Sequence, residues 1–151
     1  MKKDDCIFCK IAAGEIPSAT VYEDDDFRAI LDLGPAAKGH TLVIPKSHSD
    51  NLLSVEPDTA AKALKVISKT ANAIKEALGC DGINVVQNNG EAAGQTVMHL
   101  HFHIIPRYKN DSVNIGWQPM KPSNEELAAT AALIKEKTVS YTHLTLPTNS
   151  R

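Results

Sequence analysis

Aromatic residues and cysteines are scarce in this chain of 151 residues. Phenylalanine, tyrosine and tryptophan together make up 5% of it, and there are three cysteines. So few cysteines, in an odd number, argue against a disulfide-stapled scaffold, so the fold has to be held by packing. No apolar run is long enough to cross a membrane, and the lysines of "MKKDDC" are followed by aspartates instead of the apolar stretch of an export signal. These absences predict a soluble, cytoplasmic protein with no membrane partner.

An excess of charge of either sign is also missing. The formal net charge is -2, and 23% of the residues are charged. Such a balance offers no general attraction to nucleic acid, so we expect no nucleic-acid partner. Any anionic ligand must then be held by local groups. The length suits one compact domain with a substantial core.

Hydrophobic patterning predicts an α+β fold with an antiparallel sheet of about five strands. Strands are predicted at residues 20–23 and 27–33, then at "GHTLVIPK", "GINVVQN" and "TVMHLHFHIIP". Apolar residues recur every three or four positions from Pro57 to Leu78 and predict one long helix, whose buried stripe is Leu64, Ile67, Ala71, Ile74 and Leu78. The capping sequence "SNEE" predicts a C-terminal helix from about Ser123, with the stripe Leu127, Ala131 and Ile134. Strand runs interrupted by one helix and closed by another are typical of α+β folds.

The last part of the chain does not follow this patterning. The helical period stops after "ALIKEKT", and "VSYTHLTLPTNSR" carries neither a core-facing period nor a capping signal. We therefore expect a single domain over residues 1–138 and a non-native or disordered tail at residues 139–151. His143 is excluded from the functional reasoning for the same reason.

Three histidines alternate with apolar residues in "TVMHLHFHIIP". Because side chains alternate across a strand, His99, His101 and His103 are predicted to lie in a row on one face, while the residues between them enter the core. Three alternating imidazoles in a chain with six histidines favour a functional role over ordinary surface positions. Two kinds of chemistry remain open, namely metal binding and attack by a neutral imidazole with a neighbour to move protons.

The loop before this run favours a phosphate-bearing ligand. "NNGEAAGQT" contains Gly90 and Gly94, which let backbone amides turn toward a ligand, and Thr96 adds a hydroxyl beside the histidines. An ordinary hairpin loop would also contain glycine and asparagine. The position of the loop next to three imidazoles is what favours the phosphate interpretation.

Cys6 and Cys9 are spaced as C-x-x-C near the N-terminus. This spacing can supply two thiolates to one zinc ion, and two further ligands would have to come from elsewhere in the fold. A redox pair and two packed thiols are the alternatives, although the βαβ context of a redox motif is missing.

The run "HLHFHII" matches the signature H-φ-H-φ-H-φ-φ, with φ apolar, of the histidine triad family. The chain resembles the Hint branch in its bacterial form, because "CIFCKIAAGEIPS", "DLGPAAKGHTLVIPKSH" and "GQTVMHLHFHIIPR" are similar as well. The resemblance extends from Cys6 to about Lys137. It implies an α+β fold whose sheet joins that of a second copy in a homodimer.

The resemblance implies a nucleotidyl hydrolase of purine nucleoside phosphoramidates or related adenylated conjugates, with no organic cofactor. His101 would attack the α-phosphorus of a purine nucleotide such as an AMP conjugate, and water would then release the nucleoside monophosphate from a nucleotidyl-histidine. His103 would contact phosphate or the leaving group, while His99 and His40 would orient and assist the nucleophile. Two alternatives stay open, namely a dinucleoside polyphosphate hydrolase of the Fhit kind and a nucleotide-binding interaction module with little catalysis.

The resemblance also implies the binding residues of the nucleotide. Asp32 matches the acidic residue that accepts hydrogen bonds from the ribose hydroxyls. Contacts to phosphate are implied for Asn88, Gln95 and Thr96.

For the metal, the resemblance implies that His48 and His99 complete a zinc site with Cys6 and Cys9. Four protein ligands leave no open position for water, so the zinc would be structural. His99 could then not serve as a freely titrating relay.

Overall fold

The computed structural model describes residues 2–145, with side chains through residue 139. The described residues form two compact units, of which the first ends at Val113 and the second begins at Asn114. The elements of the first unit are α1 (Ile7–Ala12), β1 (Thr20–Glu23), β2 (Phe27–Leu31), β3 (Thr41–Pro45), α2 (Pro57–Leu78), β4 (Gly82–Val86) and β5 (Phe102–Arg107). The second unit contains α3 (Asn124–Thr145).

The five strands form one antiparallel sheet in the order β1-β2-β3-β5-β4. With the long helix α2 and the C-terminal helix α3, this confirms the predicted α+β class. The histidine-bearing strand β5 lies inside the sheet, between β3 and β4, so residues at its start are flanked by backbone on both sides.

Both faces of the sheet are covered by apolar side chains. The main core cluster joins α2 to one face through Phe27, Ala29, Val43, Ala63, Val66, Ile67, Ile74, Leu100, Phe102 and Ile104. On the other face a smaller cluster around Ile30 and Leu42 packs against Phe8 and Ile11 of α1. Leu42 pairs with His103 across the β3–β5 ladder, and directly paired residues share a face. The imidazole of His103 therefore lies on the α1 face of the sheet.

Helix α2 begins and ends where the sequence predicts. Pro57 is its first residue, and Gly79 follows its last turn in the left-handed conformation with φ 65°. The predicted stripe is wrong at Leu64, which is 69% exposed, because Ala63, Val66, Ile67, Thr70 and Ile74 are the buried residues. The Thr70 hydroxyl donates to the Val66 carbonyl, so a polar residue sits on the buried face, and a pattern of apolar residues cannot show it.

Four of the five predicted strands are shorter than expected, and hydrogen bonds explain the shortening of β2 and β5. β2 ends at Leu31 instead of residue 33, because the carboxylate of Asp32 accepts the Gly34 amide and starts a turn. β5 begins at Phe102, because the Leu100 amide donates to the Ser49 carbonyl at 2.8 Å instead of joining the ladder. The prediction that all three histidines lie on one regular strand is therefore wrong for His99 and His101, which precede it.

In the second unit, Ser123 and Glu126 form the predicted reciprocal capping bonds. Helix α3 runs to Thr145 and does not end near Thr138, since no glycine or proline interrupts the sequence before Pro147. The expected stripe is wrong as a core face, because Leu127 and Ile134 are exposed. Residues 146–151 of the expected tail, and the side chain of His143, lie outside the described residues. Within residues 2–145, no helix is long and apolar enough to cross a membrane.

Gly39, next to His40, has φ 92°, and an added Cβ would lie 2.4 Å from Cδ1 of Leu78. We expect Gly39→Ala to lower the free energy of unfolding by about 2–4 kcal/mol, because strain and overlap act together. Gly79→Ala is the matched control, since Gly79 is also left-handed but has open space around it, and should cost about 1 kcal/mol. Urea unfolding of both variants measures the difference, and equal losses would contradict the overlap.

Candidate active site and metal centre

Three histidines form a compact group on the α1 face. The ring centroids of His101 and His103 are 5.1 Å apart, and Nε2 of His40 lies 2.9 Å from Nδ1 of His103. His40 immediately precedes β3, while His101 and His103 flank the first residue of β5. The ring of Phe8 in α1 meets His101 edge to face, with centroids 4.9 Å apart. The predicted residues His40, His101 and His103 therefore meet at one place.

The tautomer of His101 follows from its hydrogen bond. Its Nδ1 lies 2.7 Å from the main-chain carbonyl oxygen of His99. A carbonyl oxygen only accepts, so Nδ1 carries the hydrogen and donates. In the neutral ring Nε2 then holds a lone pair, as a nucleophile requires. The main chain of His99, and not its imidazole, therefore fixes the orientation of the His101 ring.

A second group gathers Cys6, Cys9, His48 and His99, whose ligand atoms all lie within 4.8 Å of one another. Nδ1 of His99 is 3.3 Å from Sγ of Cys6 and 3.4 Å from Sγ of Cys9. Nδ1 of His48 is 3.4 Å from Sγ of Cys9 and 3.1 Å from Nδ1 of His99. Ligand atoms of a tetrahedral zinc site are separated by about 3.3–3.8 Å, given its usual bond lengths. All four residues that the resemblance assigned to zinc are thus close to such an arrangement.

The outer nitrogens of both imidazoles fit a metal role. Nε2 of His99 donates to the Pro45 carbonyl at 2.8 Å, and Nε2 of His48 is 3.2 Å from a carboxylate oxygen of Asp50. Both partners accept, so the hydrogen stays on Nε2 and each Nδ1 offers its lone pair to an ion. The Cys9 amide also donates to Sγ of Cys6 at 3.3 Å, a bond that holds this sulfur in place. The donor set and its supporting bonds therefore fit zinc.

Asp32, His40 and His103 also bring possible metal ligands together. Nε2 of His40 is 3.4 Å from a carboxylate oxygen of Asp32. However, Nδ1 of His40 accepts the main-chain amide of Ala36 at 2.9 Å, so the hydrogen of the neutral ring lies on Nε2. That nitrogen has no lone pair for an ion. The hydrogen bonds thus distinguish the two groups. The cluster of two cysteines and two histidines can bind a metal ion, whereas His40 and His103 are arranged to share hydrogens.

Burial favours the neutral form of four imidazoles, those of His40, His99, His101 and His103. Desolvation lowers the pKa of His103 to about 4, and the neighbouring His101 and His40 lower it further. The pKa of His99 is about 4, again mainly because of burial. Burial also lowers the pKa of His101 and His40, against the opposing field of Asp32. Burial raises the pKa of the Cys9 thiol, which disfavours a free thiolate there without a cation.

We expect acid to destabilise the fold in part through His103. The ordinary pKa of His103 is 6.5 and the folded value is about 4, so between these pH values the unfolded chain binds a proton at this residue and the folded chain does not. Burial and the neighbouring His40 and His101 outweigh the attraction of Asp32 for that proton. The part of the folding stability that depends on neutral His103 is fully present above pH 6.5 and is lost as the pH drops toward 4. Urea unfolding should show that His103→Asn loses about 1–2 kcal/mol less than the parent upon acidification, after allowance for solvent screening. An equal loss in both proteins would contradict this.

The loop residues assigned to phosphate fall into two kinds. Asn88 is half-buried and Thr96 exposed, and neither side chain has a hydrogen-bond partner among the described residues. Gln95 is 3% exposed and fully engaged. Its side chain accepts from the Asn51 amide group and the Gly90 N–H, and it donates to the carbonyls of Asp50 and Val97. The Gln95 side chain thus holds the loop together, and the phosphate contact implied for Gln95 stays a prediction.

Several residues that support the site were not predicted from the sequence. Phe8 contacts His101 across the sheet face, Asp50 supports His48, and Asn51 supports Gln95. The segment "HSDN", in which Asp50 and Asn51 follow His48, is a signal that could have shown two of them. The Ala36 amide is main chain and has no sequence signal.

Comparison with known proteins places this geometry in a family. The sequence pattern of the HIT domain matches residues 13–110. Among relatives, the "Protein hit" of Bacillus subtilis is 48% identical over 76% of this chain and 80% of its own length. The "Adenosine 5'-monophosphoramidase hnt1" of Schizosaccharomyces pombe is 39% identical over 87% of this chain and 97% of its own. The "Adenylylsulfatase HINT3" of Arabidopsis thaliana is 45% identical over 72% of this chain and 55% of its own.

Solved structures agree with these relatives. The crystal structure of SMU.412c from Streptococcus mutans has a TM-score of 0.88 at 44% identity, covering 91% of this chain and 87% of that chain. A Zn-bound histidine triad family protein from Mycobacterium smegmatis has a TM-score of 0.70 at 39% identity, covering 88% and 97% of the respective chains. The matched pattern and these identities confirm the resemblance found in the sequence. The chain belongs to the histidine triad, or HIT, domain family.

Proposed function

We propose that the protein is a nucleotidyl hydrolase that cleaves adenylylated compounds, phosphoramidates included, through a nucleotidyl-histidine. The observation that carries the proposal is the pair of opposite tautomers, with a lone pair on Nε2 of His101 beside the hydrogen-donating edge of His103. Family membership supports a nucleotide hydrolase, since two relatives are named as an adenylylsulfatase and an AMP phosphoramidase.

The first step is a displacement at the α-phosphorus. The lone pair on Nε2 of His101 forms the P–N bond, and the bond from phosphorus to the leaving oxygen or nitrogen breaks with its electron pair. His103, on the same face, keeps its proton and donates a hydrogen bond from its outer nitrogen to the departing atom, which stabilises the charge developing there; an amine leaving group takes its proton from water. In the second step a water molecule attacks the same phosphorus and gives up a proton to solvent, and the P–N bond breaks to return the lone pair to His101.

The nucleotide has three supports on this face. Asp32 is partly exposed beside His40 and can accept hydrogen bonds from the ribose hydroxyls. The apolar surface made by Phe8 and Ile11 over Ile30 and Leu42 suits a purine ring. Asn88 and Thr96 supply free polar groups for the phosphate, within the loop that Gln95 shapes.

We further propose structural zinc on Cys6, Cys9, His48 and His99, because their geometry fits and no fifth protein group joins them among the described residues. Zinc held there supplies a crosslink between the N-terminal turn and the segment that carries the nucleophile. We also propose a cytoplasmic homodimer that has no nucleic-acid partner and no organic cofactor. The free edge of β4, with half-exposed Val85, is a place where a second sheet can continue this one.

Trapping the intermediate tests the proposed function. The protein is mixed with adenosine 5'-phosphoramidate or adenylyl sulfate, quenched within the first turnover and measured by intact-mass spectrometry. We expect the mass of one adenylyl group, located by peptide mapping on His101. A dinucleoside polyphosphate in a parallel reaction compares the alternative substrate class by initial rate. AMP release without any adduct under single-turnover conditions would argue for direct attack by water and against the covalent scheme.

A further inference from the structure

We propose that the main-chain amide of Ala36 is a positioning group that fixes the proton pattern of the active-site histidines, so that His103 presents an N–H to the leaving group. Nothing in the side chain of Ala36 is involved. The proton pattern follows from hydrogen bonds alone, whereas its use in the reaction rests on the proposed function.

A closed loop between β2 and β3 aims this amide. The Asp32 amide donates to the His40 carbonyl at 2.9 Å, and the His40 amide donates to the Ala37 carbonyl at 3.0 Å. Inside this loop the Ala36 N–H points at Nδ1 of His40, 2.9 Å away. An amide N–H cannot accept, so Nδ1 of His40 must be the acceptor. The hydrogen of the neutral His40 ring is therefore on Nε2.

The hydrogen bond from His40 also fixes the tautomer of His103. Nε2 of His40 lies 2.9 Å from Nδ1 of His103 and 3.4 Å from the Asp32 carboxylate, and both are acceptors for its hydrogen. Because Nδ1 of His103 accepts, the hydrogen of His103 is on its Nε2, the nitrogen away from His40. The other ring against His103 is His101, whose own hydrogen is held by the His99 carbonyl. The Ala36 amide and the His99 carbonyl thus give opposite tautomers, with the hydrogen on Nε2 in His103 and on Nδ1 in His101.

The opposite pattern at His103 would disable the site. If Nδ1 of His40 carried the hydrogen, Nδ1 of His103 would have to donate, and its Nε2 would turn a lone pair toward the phosphate. Two lone pairs would then face an anionic group, and the departing atom would receive no hydrogen bond. The Ala36 amide prevents this, because a hydrogen on Nδ1 of His40 would point directly at the amide hydrogen and the two would repel each other.

Nitrogen NMR tests the pattern directly. In long-range ¹H–¹⁵N spectra of the parent protein, we expect Nδ1 of His40 and of His103 to have shifts of unprotonated nitrogen, and their Nε2 atoms to have shifts of N–H. Ala36→Pro removes the donor and should move hydrogen onto Nδ1 of His40, lowering kcat by about 10- to 100-fold with a much smaller change in KM. Ala36→Ser keeps the amide and should keep the parent nitrogen shifts. Parent shifts in Ala36→Pro would overturn the proposal.

Two variants at His40 serve if Ala36→Pro does not fold. His40→Gln can accept from the Ala36 amide and still donate to His103, whereas His40→Glu can only accept. We expect His103 to keep its hydrogen on Nε2 with glutamine and to move it to Nδ1 with glutamate. The same His103 tautomer in both variants would overturn the proposal. The expected nitrogen shifts together with no trapped adduct would refute the proposed function and leave the proton pattern standing.

Discussion

His101→Gly is expected to reduce turnover of adenosine 5'-phosphoramidate on the order of 10⁴-fold or more, because no other nitrogen in the group can replace the nucleophile. In this variant Nδ1 of His103 is bonded to His40 and its Nε2 carries a hydrogen, and Nε2 of His40 carries a hydrogen as well, so neither neighbour offers a lone pair to form the P–N bond. Steady-state rates of AMP release measure the loss.

Binding provides the control for this variant. Asp32, Asn88 and Thr96 are untouched in His101→Gly, so AMP should still bind, with an affinity within about tenfold of the parent by titration calorimetry. The circular dichroism spectrum should also be unchanged. Full activity in a protein free of contaminating hydrolase would remove His101 as the nucleophile and direct attention to water as the attacking group.

Removal of zinc is expected to have the second large effect. Chelation should lower the melting temperature by about 10 °C, since a site loaded a thousandfold above its Kd contributes about 4 kcal/mol and each kcal/mol is worth about 2–4 °C in a protein of this size. Activity should fall with it, because His99 contributes its ring to the cluster and its carbonyl to the nucleophile. Differential scanning fluorimetry and metal analysis before and after chelation measure both changes.

Cysteine variants separate the zinc effect from general damage. Cys9→Ser should lose the bound metal and the chelator response, whereas Cys80→Ser, at a buried free thiol outside the cluster, should keep about one zinc per chain. Equal metal content in Cys9→Ser and the parent would contradict the assigned ligands. A metal-free parent with an unchanged melting temperature would contradict the structural role.

Most of the framework could be predicted from the sequence, because it depends on local rules. Proline at the start and glycine after the end bound α2, and the alternation of side chains correctly puts Phe102 and Ile104 in the core and His103 on the other face. The strand prediction fails at His99 because the Leu100 amide finds its partner in Ser49, about fifty residues away in the sequence. Alternation says nothing about such a distant hydrogen bond.

The parts of the candidate site that consist of cysteine and histidine side chains could be predicted from the sequence. The spacing of Cys6 and Cys9 and the alternation of the three histidines from His99 to His103 are visible in the sequence itself, and the resemblance adds His40 and His48. The proton pattern could not be predicted, because it depends on the main chain of Ala36 and His99, and any residue except proline offers the same amide. The part that Gln95 plays in shaping the loop could not be predicted for a related reason, since only the fold shows that its side chain bonds four protein groups.

The single lone pair of His101 has a stereochemical consequence. The His99 carbonyl occupies the inner nitrogen of the ring, so only Nε2 faces the substrate, and in the proposed scheme it stays on one side of phosphorus through both steps. The leaving group must depart from the opposite side, and water must later arrive along that same path. Two inversions at one centre restore the original handedness, so a chiral phosphorothioate analogue would end with the configuration with which it began.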